Sequence, residues 1–195
     1  MLSSREQLLE KCLRYLLQRG VANLSLRPLA QAAGTSARML VHHFGSKEGL
    51  ITAVMEQVRA RLQLLFEPLI TGETGQLQPT KAMVAFWKLM TSSKNLPYMR
   101  LLFEVQVLAM QNPGRYRRYL LETSSSWMGL VERALSRGKN TAAMATLCTA
   151  VIDGLMLEFL STGDLRRTSH AVDLFLKQMR NQPAQRTRKG SGRER

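Results

Sequence analysis

A chain of 195 residues with 45% apolar side chains can bury either one large helical domain or a small domain joined to a larger one, which excludes a largely disordered polymer. Its 28 Lys and Arg against 14 Asp and Glu give a formal charge of +14, a field suited to polyanions such as nucleic acid or an anionic membrane surface. Cys12 and Cys148 lie far apart, outside any CxxC and among apolar residues, so they read as free thiols in a reducing compartment rather than a disulfide.

No basic stretch followed by an apolar segment opens the chain, and no apolar run reaches about eighteen residues, so a cytoplasmic protein without a membrane span is expected. The charge is spread unevenly. Residues 1–55 carry seven Lys and Arg against three acids, whereas the last sixteen residues alone carry six against one. The segment QPAQRTRKGSGRER (182–195) has no apolar periodicity and reads as a disordered basic tail, either a solvated end or a DNA-binding arm.

Helix signals follow one another along the chain, and strand alternation is absent. Ser3-x-x-Glu6 or Ser4-x-x-Gln7 forms a capping box ahead of Leu8, Leu9, Cys12, Leu13, Leu16 and Leu17, and Gly20 ends that helix. Ser25 is placed to cap a short second helix that tolerates Pro28 in its first turn and turns Leu29, Ala30 and Ala33 inward. Gly34 ends it, Thr35 or Ser36 caps a third helix to about Phe44, and Gly45-Ser46 interrupts. Ser46 then caps a long fourth helix carrying Leu50, Val54, Val58, Leu62 and Leu65 up to Pro68.

Beyond TGETGQLQ (71–78), helices are expected at about 79–92, from near Pro97 through LLFEVQVLAM, and from Pro113 with Asn112 as cap to about Ser136. Two more follow, from Asn140 to about Leu160 and at about 165–181. The fold expected is all-α. An N-terminal three-helix unit spans 1–50, with the fourth helix from about 46 leading onward to a larger helical bundle at 51–181 and the tail at 182–195.

Two short helices joined by a tight turn containing Gly form a helix-turn-helix, whose second helix enters the major groove of DNA. In GTSARMLVHHFGSKEGL (34–50), Leu40 and Phe44 recur at i, i+4 and can face inward. Thr35, Ser36, Arg38, Met39 and His42 then fall on or near the outward side, beside a helix N-terminus whose free N–H groups suit a phosphate. Lys47 adds a cation at the next helix start. Arg38 can bond bidentately to guanine O6 and N7, worth about 1–3 kcal/mol of discrimination.

On Arg19-Gly20, Leu29-Ala30-Gln31-Ala32-Ala33-Gly34-Thr35-Ser36, Leu40 and His43-Phe44-Gly45-Ser46-Lys47-Glu48-Gly49-Leu50, the first 60 residues resemble the DNA-binding domain of the TetR family of bacterial transcription regulators. That resemblance implies a homodimer with an operator-binding N-terminal unit and a helical domain that dimerises and binds a small molecule. It also implies DNA contacts by Ser25, Arg27, Thr35, Ser36, Arg38, His43 and Lys47. Val41 departs from the family, which usually has a phosphate-contacting tyrosine there. Many members also have small or hydroxylated residues where Arg38 and Met39 stand. A shifted contact set follows, with Arg38 more important and Val41 against a thymine methyl.

Other readings stand beside these. His42 and His43 are adjacent, so a helix points them about 100° apart, and neither a metal site nor a nucleophile–His–acid arrangement can be built on them. His43 is either a phosphate contact or a helix-end residue bonded locally. Trp87, Met90, Phe103, Met110, Tyr116, Trp127, Met128, Met144 and Met156 are the candidate pocket residues, although each also suits an ordinary core, as Phe159 does. Glu104, Asp153 and Glu158 interrupt apolar runs. They could meet a cationic ligand, but solvent or structural pairing is the expected role.

Apolar positions spread around residues 140–162 and 165–181, among them Leu147, Leu155, Leu160, Leu174 and Phe175, imply burial on more than one side, as in a four-helix interface between two copies. The expected function is a sequence-specific transcription regulator. It would be a repressor that binds a near-palindromic double-stranded operator and is released by a small-molecule effector; no cofactor, metal or enzymatic activity is expected. The alternative is a basic architectural protein that coats nucleic acid without sequence choice.

Overall fold

The computed structural model describes residues 3–71, 79–135 and 140–181. Regular structure among them is helical throughout: α1 (Ser4–Arg19), α2 (Leu26–Ala33), α3 (Ala37–Phe44), α4 (Lys47–Thr71), α5 (Pro79–Met90), α6 (Leu96–Gln111), α7 (Pro113–Ala134), α8 (Thr141–Thr162) and α9 (Leu165–Asn181). The basic tail and the expected helix end at Ser136 lie outside the described residues.

Local chemistry sets the first four elements. The Ser3 hydroxyl accepts the Glu6 amide at 3.3 Å while the Glu6 carboxylate accepts the Ser3 amide at 2.7 Å, so both partners of the capping box are engaged. Ser36 starts α3 by accepting the Met39 amide at 3.2 Å, and Ser46 starts α4 by accepting that of Gly49 at 3.0 Å. Gly34 sits at φ 72°, ψ 37°, the left-handed conformation that lets α2 stop and α3 leave at an angle. Leu29, Ala33, Leu40 and Phe44 from this pair pack with Leu9, Leu13 and Leu16 of α1 into the head of a continuous core.

α4 carries that core onward. Its N-terminal half packs on α1 and α3, and it goes on to pack on α5, α6 and α7. Leu50, Val54, Val58 and Leu62 are fully shielded, but the next residue of that row is Phe66 rather than Leu65, which is 37% exposed. Both i+3 and i+4 from Leu62 satisfy an amphipathic pattern, and only the neighbouring helices decide between them. Pro68 does not end the helix either. α4 runs three residues past it, so the missing N–H bond falls in the last turn.

Three expected caps are positional only. Ser25 and Asn140 precede their helices without a side-chain cap bond, and Asn112 turns its amide back to the Leu108 carbonyl at 3.1 Å, closing α6 rather than opening α7. α8 packs between α7 and α9 and is the most apolar helix. By length and composition alone it is long and apolar enough to cross a membrane, although Thr, Ser, Gly, Asp153 and Glu158 break its apolar run into short pieces. Only 28% of its most apolar window is buried within one copy, and Leu147 and Leu157 stand open to solvent with Leu165 and Leu174 of α9.

Candidate functional site

Two features stand out: an exposed polar surface on α2 and α3, and an apolar cavity inside the bundle. On the first, Leu40 and Phe44 are buried, which fixes the rotation of α3 and turns Arg38, Met39, Val41 and His42 outward. Met39 is 41% and Val41 42% exposed, unusual for such side chains on a two-turn helix. Arg38, Arg27 and Lys47 make no ion pair or hydrogen bond among the described residues, so their donors are available to a polyanion. Ser25 is exposed with its hydroxyl uncommitted, Thr35 is half-buried at the turn, and Ser36 is exposed but engaged with the Met39 amide.

His43 is half-buried, its ring 5.3 Å from that of His42 and 6.2 Å from that of Phe44. Among the described residues no hydrogen bond engages either imidazole, so no helix-end bond is seen at His43. No cluster of three or more His, Cys, Asp or Glu suited to a metal ion occurs among the described residues. Arg5 lies over Phe44 at 5.1 Å, shielding the ring that anchors α3.

The head is fastened to the bundle at two places. Glu104 of α6 accepts the Val21 amide at 2.8 Å, just after α1 ends. Arg115 of α7 donates to Glu48 at 2.8 Å, and the Glu48 backbone N–H together with that guanidinium holds its carboxyl below the ordinary range. Within the head, Gln57 of α4 donates to Glu10 of α1 at 2.7 Å. Glu104 is thus committed to a backbone donor of another element, a role its sequence context does not signal. Glu158 pairs with Arg167.

The bundle encloses a cavity of about 270 Å³ with contributions from α4, α5, α6, α7 and α8. Phe66, Phe86 and Trp127 form an aromatic corner; the Phe66 ring lies 3.9 Å from Phe86 and 5.5 Å, edge-on, from Trp127. Met83, Met99, Met128 and Phe103 add soft apolar wall, and Gln106, Thr123, Ser124, Thr149 and Asp153 supply the polar groups. Burial pushes the Cys148 thiol up to about 11, so this lining residue stays protonated at neutral pH.

Of the nine pocket candidates, Phe103, Trp127 and Met128 line this cavity and six do not. Trp87 and Met90 face the core on the other side of α5, where the Trp87 indole donates to Ser169 of α9 at 2.9 Å. Tyr116 is buried near Glu48 and Met156 is wholly packed, one turn beyond Ile152. Met110 is 57% exposed at the far end of α6, and Met144 sits one turn short of Cys148. Pro79, Ala82, Met83 and Phe86 are the α5 residues that line it, and their i, i+3, i+4, i+7 spacing was the available signal.

Residues 4–54 match the family described as bacterial regulatory proteins, tetR family. Over almost the whole chain the protein is 28% identical to the HTH-type transcriptional regulator BetI of Pseudomonas fluorescens, covering 94% of this chain and 95% of that one. A transcriptional regulator from Rhodococcus shares its fold with a TM-score of 0.76 at 19% identity, covering 90% of this chain and 95% of the other. The multidrug binding protein EbrR, solved with ethidium, superimposes with a TM-score of 0.72 at 19% identity, over 90% of this chain and 98% of its own.

Proposed function

The chain belongs, through residues 4–54, to the tetR family of bacterial regulatory proteins, and on that premise we propose that its α2–α3 surface grips an operator from which a molecule bound in the bundle cavity releases it. The chain is a DNA-binding transcription regulator. The finer assignments are our reading: residues 1–50 as the DNA-binding unit, 51–181 as the effector and dimer domain, and repression as the direction of control in the cytoplasm.

The observation that carries this reading is the combination on α3 of uncommitted Arg38 with open Met39 and Val41, presented by a helix whose other side is locked in the core. An arginine fork reads guanine, and apolar side chains fit thymine methyls. Ser25, Arg27, Thr35, Ser36, His42, His43 and Lys47 surround these with groups that suit phosphates, which position a protein without reading sequence. Two copies joined through the open faces of α8 and α9 would present two such helices to successive major grooves about 34–36 Å apart. The exposed leucines of those helices support this pairing.

Release follows from differential affinity. A molecule that fills the cavity better in one head arrangement draws the population toward it, and operator affinity falls only by that difference.

Selection of binding sites from random DNA by the purified protein tests the reading. An inverted repeat enriched tenfold or more supports it, and enrichment without a motif supports a non-specific coating protein instead. Removal of residues 183–195 separates the same two cases: a regulator keeps its motif and loses mainly salt-dependent affinity, whereas a coating protein loses binding altogether.

A further inference from the structure

Among the described residues, the wall of the bundle cavity carries one carboxylate and no cation. Among its lining residues only Asp153 and Cys148 are ionisable, and the thiol is held protonated. Asp153 lies one helical turn after Thr149, which also lines the cavity, and one turn before Leu157 on the open face of α8. No hydrogen bond or ion pair engages its carboxylate among the described residues, unlike Glu48, Glu104 and Glu158, each of which has a partner. Asp153 is open to solvent on α8 while also lining the cavity, so its carboxylate stands at the chamber's rim as an anion with no counter-charge among the described residues.

The aromatic corner has the complementary property. The faces of Phe66, Phe86 and Trp127 carry negative quadrupole potential, which attracts a cation whose own hydration is weak. Among the described lining residues there is no Lys, Arg or His, so none of them would hold an anion. A neutral apolar guest would leave the carboxylate unpaired. An organic ammonium with an aromatic or alkyl body satisfies both walls at once.

We propose that the cavity is a site for organic cations, with Asp153 supplying the counter-charge and the Phe66–Phe86–Trp127 corner holding the apolar body. This rests on the cavity being the effector site. It goes further by fixing the ligand's charge and by naming the residue that selects for it.

Two probes of one shape separate charge from fit: N-methylquinolinium and its neutral isostere 1-methylnaphthalene, titrated calorimetrically into the full-length protein. The wild type should bind the cation at least tenfold more tightly. Asp153→Asn should bring the two within about twofold while leaving the neutral probe's affinity the same or higher, and Asp153→Glu should restore the preference for the cation. Equal binding of the probes by the wild type, failure of both to bind, or a preference that survives Asp153→Asn overturns the proposal. The wild-type comparison decides the ligand class even if a variant fails to fold. Operator binding is scored separately on ligand-free wild type, so its failure counts against the regulator reading alone. A cation that binds without weakening the operator complex counts against the cavity as effector site and leaves the cation site standing.

Discussion

Glu104 reaches from α6 to accept the amide hydrogen of Val21 at 2.8 Å, across the junction between the bundle and the head. Its helix also presents Met99, Leu102, Phe103 and Gln106 to the cavity, so one rigid element touches both the cavity and the chain that leads into α2. Gly20 makes the approach possible. At φ +70° it avoids strain that any other residue would incur, and a Cβ there would lie 2.3 Å from the Glu104 carboxylate. Glu104→Ala should lower unfolding stability by about 1–3 kcal/mol, the usual cost of losing a charged acceptor from a backbone donor. Gly20→Ala should also destabilise, and the double variant should cost less than the sum, since each change breaks the same contact. Urea denaturation of the four proteins gives the answer, and simple additivity would count against the latch.

Arg38→Ala and Lys47→Ala should fail in different ways. Loss of the Arg38 fork should relax base preference at one operator position, at a cost of about 1–3 kcal/mol on the preferred sequence. Loss of Lys47 should weaken all sequences alike and flatten the salt dependence by about one unit. Anisotropy titrations on the selected site and single-base variants, at several salt concentrations, distinguish these; an unchanged motif after Arg38→Ala would remove the base-reading assignment.

Asp153 sets a pH dependence whose sign is fixed by its raised pKa. In the folded chain the acid titrates at about 6, against an ordinary value of 3.8, so the folded state holds the proton more tightly. Its stabilising contribution is present in full below about pH 4 and is lost as pH rises through about 6. Asp153→Asn, which does not titrate, should therefore melt higher than the wild type at pH 7.5, with the gap closing toward pH 4. A melting curve that shows no such convergence would mean that the carboxylate is paired in solution.

Leu157→Arg should split the assembly. Leu157 is 53% exposed on the flank of α8 that also carries Leu147, and a guanidinium there would be costly in a dry interface. Light scattering should give a dimer mass for the wild type and a monomer mass for the variant. Operator affinity should fall by two orders of magnitude or more as the second half-site contact is lost. A dimeric variant would place the interface elsewhere.

The head was legible because its determinants are local. Ser3, Glu6, Gly34, Ser36, Ser46 and the inward pair Leu40 and Phe44 act within one turn of their own positions, so sequence spacing carries the information. The cavity depends on how helices are rotated against one another. Trp87 is a pocket candidate by its chemistry, but its indole donates to Ser169 of α9, and the neighbouring Phe86 lines the chamber instead. Glu104 and Asp153 look alike in sequence, each an acid in an apolar run. One meets a backbone amide 83 positions away and the other meets no partner among the described residues. Pairings at that separation leave no periodic trace.

Pro68 lies past Phe66, so α4 is uninterrupted between the cavity wall and Lys47 at its other end. Nineteen helical steps at roughly 1.5 Å each make a rod of about 28 Å, and a tilt of about 5° at one end would swing the other by on the order of 2 Å. A displacement of that size exceeds the tolerance of a hydrogen bond to a base edge. The gain of such a switch is set by the stiffness of the rod and its clamps, not by either binding surface. Residues lining the chamber can then drift toward new inducers while the operator stays the same, provided the shaft between them does not soften.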